Sequence, residues 1–259
     1  MRTLIAGLPK TGTTALLYLI ESSLENVEIS FEPRSFQVLL SQRFGDFLTK
    51  IVYTHQEDCN LQRFLSEFSA FDKRIWIARD PRDQIISAFL YSWYKPHGMP
   101  EDRFRLALDF VCRKEAGENI SLSSIMKTVY GKYGYFHNPS YYPEQVTPFF
   151  RNEKNGFYLY RYRDLIDQKY EALGEYLSCN ISGQYQVPKE FKRIARTKSY
   201  GNWRAWFEEE DIDCFRPIFS EYMNLTGIPD DWELSAEPIN PALNSEYMLR
   251  LHEGPRAFL

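Results

Sequence analysis

Short apolar runs rich in β-branched and aromatic residues alternate along this chain with longer segments of helical periodicity. The apolar runs predict five strands, at Thr3–Gly7, Val27–Phe31, Lys50–His55, Arg74–Ala78 and Phe157–Arg161. The periodic segments predict helices at Thr13–Glu25, Leu61–Phe71, Arg82–Trp93, Asp102–Ala116, Leu122–Tyr130, Pro143–Arg151, Ile166–Leu177 and Asp211–Thr226. Because strands separated by helices need crossover connections, the pattern predicts a three-layer α/β fold with a central parallel sheet of about five strands.

The first strand, the loop after it and the first helix form the most informative segment. The N–H groups of such a loop and the positive end of the helix dipole converge on one point, which suits a phosphate. The segment from Gly7 nearly matches the P-loop pattern G-x-x-x-x-G-K-[ST], but Thr13 stands where the lysine belongs. The lysine lies inside the loop instead, at Lys10. The loop therefore predicts an anionic nucleotide bound in a way that differs from ATP in a kinase.

A second anion signal follows the strand Arg74–Ala78. Arg79 ends that strand, Pro81 opens a helix, and Ser87 lies eight residues beyond Arg79. The planar guanidinium and the hydroxyl can share one phosphate if the helix turns back over the strand end. Taken alone, the segment is better explained as a surface Arg-Asp pair beside an ordinary helix.

The order of these segments resembles that of the sulfotransferases that use 3'-phosphoadenylyl sulfate. Residues 9–14 are similar to the family's 5'-phosphosulfate loop, and residues 79–87 to its 3'-phosphate segment. Residues 162–165 are similar to the family's Tyr-Glu-Asp-Leu, with Arg163 in place of the Glu. Residues 201–204 and the last predicted helix resemble its C-terminal Gly-Asp-Trp-Lys segment and final helix. The matches are short, but they keep the family order from residue 4 to about residue 228.

The resemblance implies a donor, 3'-phosphoadenosine 5'-phosphosulfate (PAPS), a product, adenosine 3',5'-bisphosphate (PAP), and no metal. It implies that Lys10 contacts the bridging oxygen from which the sulfuryl group departs. The residues it assigns to the donor are Pro9, Lys10, Thr11, Gly12, Thr13 and Thr14 for the 5'-phosphosulfate, Arg79 and Ser87 for the 3'-phosphate, Tyr162 for the adenine, and, from a partial match, Arg196 and Lys198 for the 3'-phosphate.

The acceptor hydroxyl must lose a proton, and two residues are candidates for the base. His55 ends a predicted strand in a segment similar to the Lys-Thr-His of cytosolic sulfotransferases, with Tyr53 in place of the lysine. Glu32 lies in Phe-Glu-Pro, a segment similar to one in carbohydrate sulfotransferases. The sequence leaves the choice open, and with it the acceptor, which is a carbohydrate or a small hydroxylated metabolite.

Composition and domain organisation fit this interpretation. Hydrophobic residues make up 44% of the 259 residues, enough for a substantial core, and the net charge of -4 argues against nucleic acid as a partner. No apolar run is long enough to span a membrane and no leading signal sequence is recognised, so we expect a cytoplasmic protein. We expect one domain over residues 1–228 with a helical insertion at about 95–151, and a packed tail over 229–259. The four histidines lack metal-ligand spacing, which predicts no metal site.

Two other functions stay open at this stage. A nucleotide or small-molecule kinase with a variant P-loop would bind Mg-ATP and would leave Arg79 and Ser87 without a role. A non-catalytic nucleotide-binding module would keep the loop but hold the candidate bases away from the ligand. The sequence makes no prediction about the oligomeric state.

Overall fold

A computed structural model describes residues 1–33, 46–52, 68–131, 138–152, 155–192 and 194–253. Within these ranges five parallel strands form one sheet: β1 Arg2–Gly7, β2 Glu28–Phe31, β3 Phe47–Val52, β4 Lys73–Ala78 and β5 Tyr158–Arg161. Their order in the sheet is β2-β3-β1-β4-β5. The predicted α/β fold with a five-stranded parallel sheet is confirmed.

The α-helices of the described residues follow the predicted order. They are α1 Thr13–Glu21, α2 Pro81–Tyr91, α3 Glu101–Glu115, α4 Leu122–Tyr130, α5 Thr147–Arg151, α6 Tyr162–Ile166, α7 Glu171–Leu177, α8 Lys189–Lys192, α9 Trp203–Trp206, α10 Glu209–Thr226 and α11 Ser245–Glu253. The predicted helix Leu61–Phe71 lies mostly outside the described residues.

Two predicted helices differ from those of the structure. The predicted helix Ile166–Leu177 is confirmed from Glu171 onward, as α7, but its predicted start is wrong: α6 ends at Ile166, and α7 begins at Glu171. Gln168 between them has a φ of 58°, a left-handed conformation that no α-helix continues through. The predicted helix Pro143–Arg151 is a π-helical turn over Tyr142–Val146 followed by α5.

The strand β3 begins three residues earlier than predicted. It pairs with β1 along its whole length: Phe47 lies opposite Arg2, and Val52 lies opposite Gly7. All six residues of β1 therefore have a partner in β3. All six residues of β3 are buried, including Thr49 and Lys50. The polar Thr49 interrupts the apolar pattern after Leu48, and for that reason the prediction Lys50–His55 started too late. Residues 53–55 lie outside the described residues.

The chain divides into two compact units, of which the first comprises Met1–Arg79 and Thr147–Val187 and contains the sheet. Successive strand residues point to opposite faces, so Ile75 and Ile77 share one face and Trp76 lies on the other. On the first face α1, α6 and α7 supply the apolar partners, among them Leu16, Leu17, Ile20, Leu165, Leu173 and Leu177. On the second face the Trp76 ring centroid lies 5.1 Å from that of Phe149 in α5. The unit therefore has helices on both sides of the sheet.

The second unit comprises Asp80–Val146 and Pro188–Leu259, and its described residues are helical or irregular. Its core is aromatic: the Trp93 ring stacks on Tyr130 at 6.0 Å, and the Phe89 ring meets Tyr130 edge-on at 6.1 Å. The C-terminal segment contains α11, which buries Tyr247, Met248 and Leu251 on one face.

Two charged residues early in α2 organise the second unit. Arg82 is buried, with its guanidinium carbon 3.9 Å from the Trp203 ring centroid and 4.8 Å from that of Trp232. Asp83 is fully buried and accepts hydrogen bonds from the N–H groups of Gly201 (2.6 Å) and Trp203 (3.1 Å). The chain around Gly201, at the start of α9, is therefore hydrogen-bonded to the first turn of α2.

An acidic run opens α10. One of its residues, Asp211, is fully buried, and its carboxylate accepts from Leu122 N (2.9 Å) and Ser123 N (2.7 Å) at the start of α4. Burial raises the pKa of Asp211, and the backbone N–H donors oppose the rise.

Among the residues described, no helix combines the length and apolarity needed to cross a bilayer.

Candidate anion-binding site

The loop between β1 and α1 is held in shape by its own side chains and backbone. The Thr11 hydroxyl donates to the Leu8 carbonyl at 2.7 Å, and the first helical bond runs from Leu16 N to Gly12 O at 3.0 Å. Lys10 has a φ of 66° and Gly12 a φ of 97°. The first-turn N–H groups of a helix have no partner within it, so the N-terminus of α1 offers donors to an anion. The Thr11 hydroxyl proton is used inside the loop. The backbone N–H of Thr11 is therefore the donor that this residue can offer to an anion.

Arg79 brings a buried cation to this loop. Its side chain is 5% exposed, and its Nη1 donates to the Lys10 carbonyl oxygen at 2.7 Å. The guanidinium carbon lies 4.5 Å from the centroid of the Tyr162 ring. Its Nε and Nη2 are buried and have no hydrogen-bond partner among the described residues. Unpaired buried donors on a charged group are costly, so these two N–H groups indicate a place for an anion.

Tyr162 joins the loop to the cation. It is the first residue of α6, directly after β5, and its ring packs on Gly12 as well as on Arg79. A Cβ atom at position 12 would lie 2.7 Å from the ring atom Cδ2. The structure thus brings Lys10, Gly12, Arg79 and Tyr162 into mutual contact at the carboxyl ends of the strands. The adenine contact assigned to Tyr162 stays a prediction.

Lys50 is a site residue that the sequence interpretation missed. It lies in β3 with 2% of its side chain exposed, and its Nζ donates to Glu32 Oε1 and to Thr14 Oγ1, both at 2.7 Å. A third contact, to Thr13 Oγ1, is 3.5 Å long. Burial lowers the pKa of Lys50, and the Glu32 carboxylate acts in the opposite direction. A lysine inside an otherwise apolar strand was the available signal, since such residues are rarely fully buried without a partner.

Of the two candidate bases, Glu32 lies within the described residues and His55 lies outside them. Glu32 follows the last residue of β2 and is partly exposed. Its backbone has a φ of 48°, which makes it, like Lys10, one of a few non-glycine residues in the left-handed region. Such conformations are costly and cluster at functional sites.

The remaining predicted ligands belong to the second unit. Ser87 is buried in α2, one helical turn after Asp83. Arg196 is partly buried and Lys198 is exposed, and both lie in the segment between α8 and α9 that Asp83 fastens at Gly201. The same carboxylate therefore links the helix that carries Ser87 to the segment that carries Arg196 and Lys198. The assignment of these three residues to a 3'-phosphate stays a prediction.

Substituting Gly12 by alanine is expected to lower the free energy of unfolding by about 2–4 kcal/mol, because a left-handed backbone and the Tyr162 ring both oppose the new methyl group. Gly117→Ala is the matched control: its φ is 91°, but a Cβ there meets nothing within 4 Å. We expect that control to cost about 1 kcal/mol in urea unfolding. Equal losses in the two variants would contradict the packing of Tyr162 on the loop.

A five-stranded parallel sheet in the order β2-β3-β1-β4-β5, whose first strand is joined by a short loop to the first helix, defines an α/β protein with a P-loop-like fold. Among solved structures, the chain is similar to the crystal structure of mouse sulfotransferase SULT7A1 complexed with PAP. The TM-score is 0.54 at 14% sequence identity, and the match covers 85% of this chain and 84% of that chain. No family model matches the chain, and no curated protein matches its sequence. The chain thus shares the fold of a sulfotransferase.

Proposed function

We propose that the protein is a sulfotransferase that moves a sulfuryl group from PAPS to the hydroxyl of an acceptor. The observation that carries this proposal is the buried Arg79 guanidinium, anchored to the loop carbonyl of Lys10 with two N–H donors left over. An oxyanion would pair those donors and remove their cost. The shared fold with a PAP-bound sulfotransferase supports the same conclusion.

The residues of the loop favour PAPS over ATP as the donor. A kinase of this class needs the P-loop lysine, and Thr13 occupies that position here. PAPS carries a 3'-phosphate that ATP lacks, and the two unpaired N–H groups of Arg79, whose Nη1 is anchored on the loop, offer donors to it. Backbone N–H groups at the start of α1 and the Thr14 hydroxyl would hold the 5'-phosphosulfate, with Arg79 and Ser87 holding the 3'-phosphate.

The chain's own groups can carry the chemistry of transfer. PAPS supplies an activated sulfuryl group when it binds. The Lys10 ammonium would neutralise the charge that develops on the leaving oxygen, which lowers the energy of the transition state more than that of the ground state. Glu32 or His55 would remove the proton of the acceptor. The acceptor that we propose is a carbohydrate or a small hydroxylated metabolite.

Calorimetry with PAP, with and without Mg²⁺, tests this function. We expect PAP to bind in the micromolar range or tighter, that is by about 8 kcal/mol or more, and Mg²⁺ to make no difference. Mg-ATP is the comparison ligand and should bind at least about tenfold more weakly, because it cannot satisfy both anion sites. A preference for Mg-ATP would refute the proposal and favour a kinase. Binding of PAP with no transfer from labelled PAPS to any acceptor in a broad screen would favour a non-catalytic nucleotide-binding module.

A further inference from the structure

Lys50 is a buried lysine between two residues of the candidate site, Thr14 and Glu32. The proposed function gives it no role. Its amine lies against the start of α1 on one side and the end of β2 on the other. Burying a lysine costs several kcal/mol unless hydrogen bonds to charged or polar groups offset the loss of water. Here Glu32, Thr14 and, at longer range, Thr13 supply those partners. The three N–H donors of the ammonium thus each have an oxygen within reach.

The geometry of these contacts fixes Glu32 at two points. The Glu32 backbone N–H donates to the Lys50 carbonyl oxygen at 3.1 Å, which extends the pairing of β2 with β3 by one residue. The Glu32 carboxylate accepts from the Lys50 amine at 2.7 Å. One residue of β3 therefore holds both the main chain and the side chain of Glu32.

The same amine also orients the Thr14 hydroxyl. An ammonium group has donors and no acceptor, so the Thr14 oxygen must accept in this contact. The Thr14 hydroxyl proton is then directed away from Lys50 and can be donated to an anion at the loop. Lys50 thus connects the carboxylate of a candidate base to a hydroxyl in the first turn of α1 through one amine.

We propose that Lys50 is a positioning residue that holds the Glu32 carboxylate beside the donor loop and so makes Glu32 the base of the reaction. This inference rests on the proposed sulfotransferase function. With water as the acceptor, Glu32 takes a proton from water while the water oxygen bonds to sulfur. The bond between sulfur and the bridging oxygen of the 5'-phosphate breaks, and its electron pair stays on that oxygen. The products are sulfate and PAP.

The test measures sulfate release from PAPS, with water as the acceptor, together with PAP binding by calorimetry. The variants are Lys50→Met, Lys50→Arg, Glu32→Gln and the double variant Lys50→Met with Glu32→Gln. Methionine keeps most of the buried volume and removes the charge, while arginine keeps the charge. The matched control is Lys73→Met, a lysine at the start of β4, which β1 separates from β3 in the sheet; its amine packs over the Tyr176 ring. Thermal unfolding of each variant shows that it is folded.

We expect Lys50→Met to lower kcat for sulfate release roughly 30- to 100-fold while the KM for PAPS and the Kd for PAP change less than about threefold. Glu32→Gln should lower kcat at least as far, and the double variant should lose no more than Glu32→Gln alone. Lys50→Arg should recover at least about a tenth of the wild-type rate, and Lys73→Met should match the wild type.

Any of four outcomes would overturn the inference. One is an unchanged kcat in a folded Lys50→Met variant. Another is a loss of PAP affinity that equals the loss of kcat, since Lys50 would then be a ligand of the donor. The third is additive losses in the double variant, and the fourth is a wild-type protein that binds PAP but releases sulfate no faster than free solution. A wild-type protein that does not bind PAP refutes the proposed function itself, so the two failures are distinguishable.

Discussion

Replacing Lys10 by alanine is expected to lower the rate of sulfuryl transfer roughly 100- to 1,000-fold, the effect of removing one positive donor from a developing oxyanion. The affinity for PAP should fall much less, because the ammonium acts on charge that appears as the bond breaks. The contact between Lys10 and Arg79 uses the Lys10 carbonyl oxygen, which alanine keeps. Single-turnover measurement with labelled PAPS, together with PAP calorimetry, separates the two quantities.

Lys127→Ala is the control for this experiment, because Lys127 is an exposed lysine on α4 in the other unit. It should leave both the transfer rate and the PAP affinity unchanged. A Lys10→Ala variant that transfers at the wild-type rate would exclude the proposed role of the loop lysine. A variant that loses rate and affinity by the same factor would make Lys10 a ligand of the bound donor in its ground state.

Replacing Arg79 by methionine is expected to weaken PAP binding roughly 30- to 1,000-fold, the range found when one partner of a buried charge pair is removed. The ligand-free protein should lose far less stability, since two N–H groups of Arg79 have no partner among the described residues and gain nothing from folding. Isothermal calorimetry gives the affinity, and urea unfolding gives the stability. The expected signature is a large loss of binding with a small change in folding.

Arg105→Met is the matched control, because its guanidinium is 76% exposed and pairs with Glu101 within one helix. We expect no change in PAP affinity there. If Arg79→Met bound PAP as well as the wild type does, the two unpaired N–H groups of Arg79 would not contact the nucleotide. The proposed function would then lose its main support.

The parts of the fold that the sequence predicts are those with a local signal. The five-stranded sheet follows from five apolar runs separated by helices, and the loop follows from the spacing of Gly7, Lys10 and Gly12. These features depend on residues close together in the chain. The boundaries of β3 and the break between α6 and α7 were wrong, since pairing with β1 and one left-handed residue decided them.

The hydrogen bonds and charge contacts of the site could not be predicted from the sequence, for a different reason. Lys50 reaches Glu32 and Thr14 only because β3 lies between β2 and β1, an order that no local pattern specifies. In the sequence, Asp83 has the pattern of an ordinary helix residue. Its hydrogen-bond donor, the N–H of Gly201, lies 118 positions away along the chain. The unpaired N–H groups of Arg79 depend on everything that surrounds that side chain. Contacts of this kind are decided by packing between distant segments.

The anchor of Arg79 on the loop has a consequence for the evolution of such proteins. The acceptor is a main-chain oxygen, and a main-chain oxygen is present whatever side chain position 10 carries. Substitutions there can change the chemistry of the loop without dislodging the arginine. Position 10 can therefore vary over time while the arginine keeps its place, so descendants can differ in reactivity on the same scaffold.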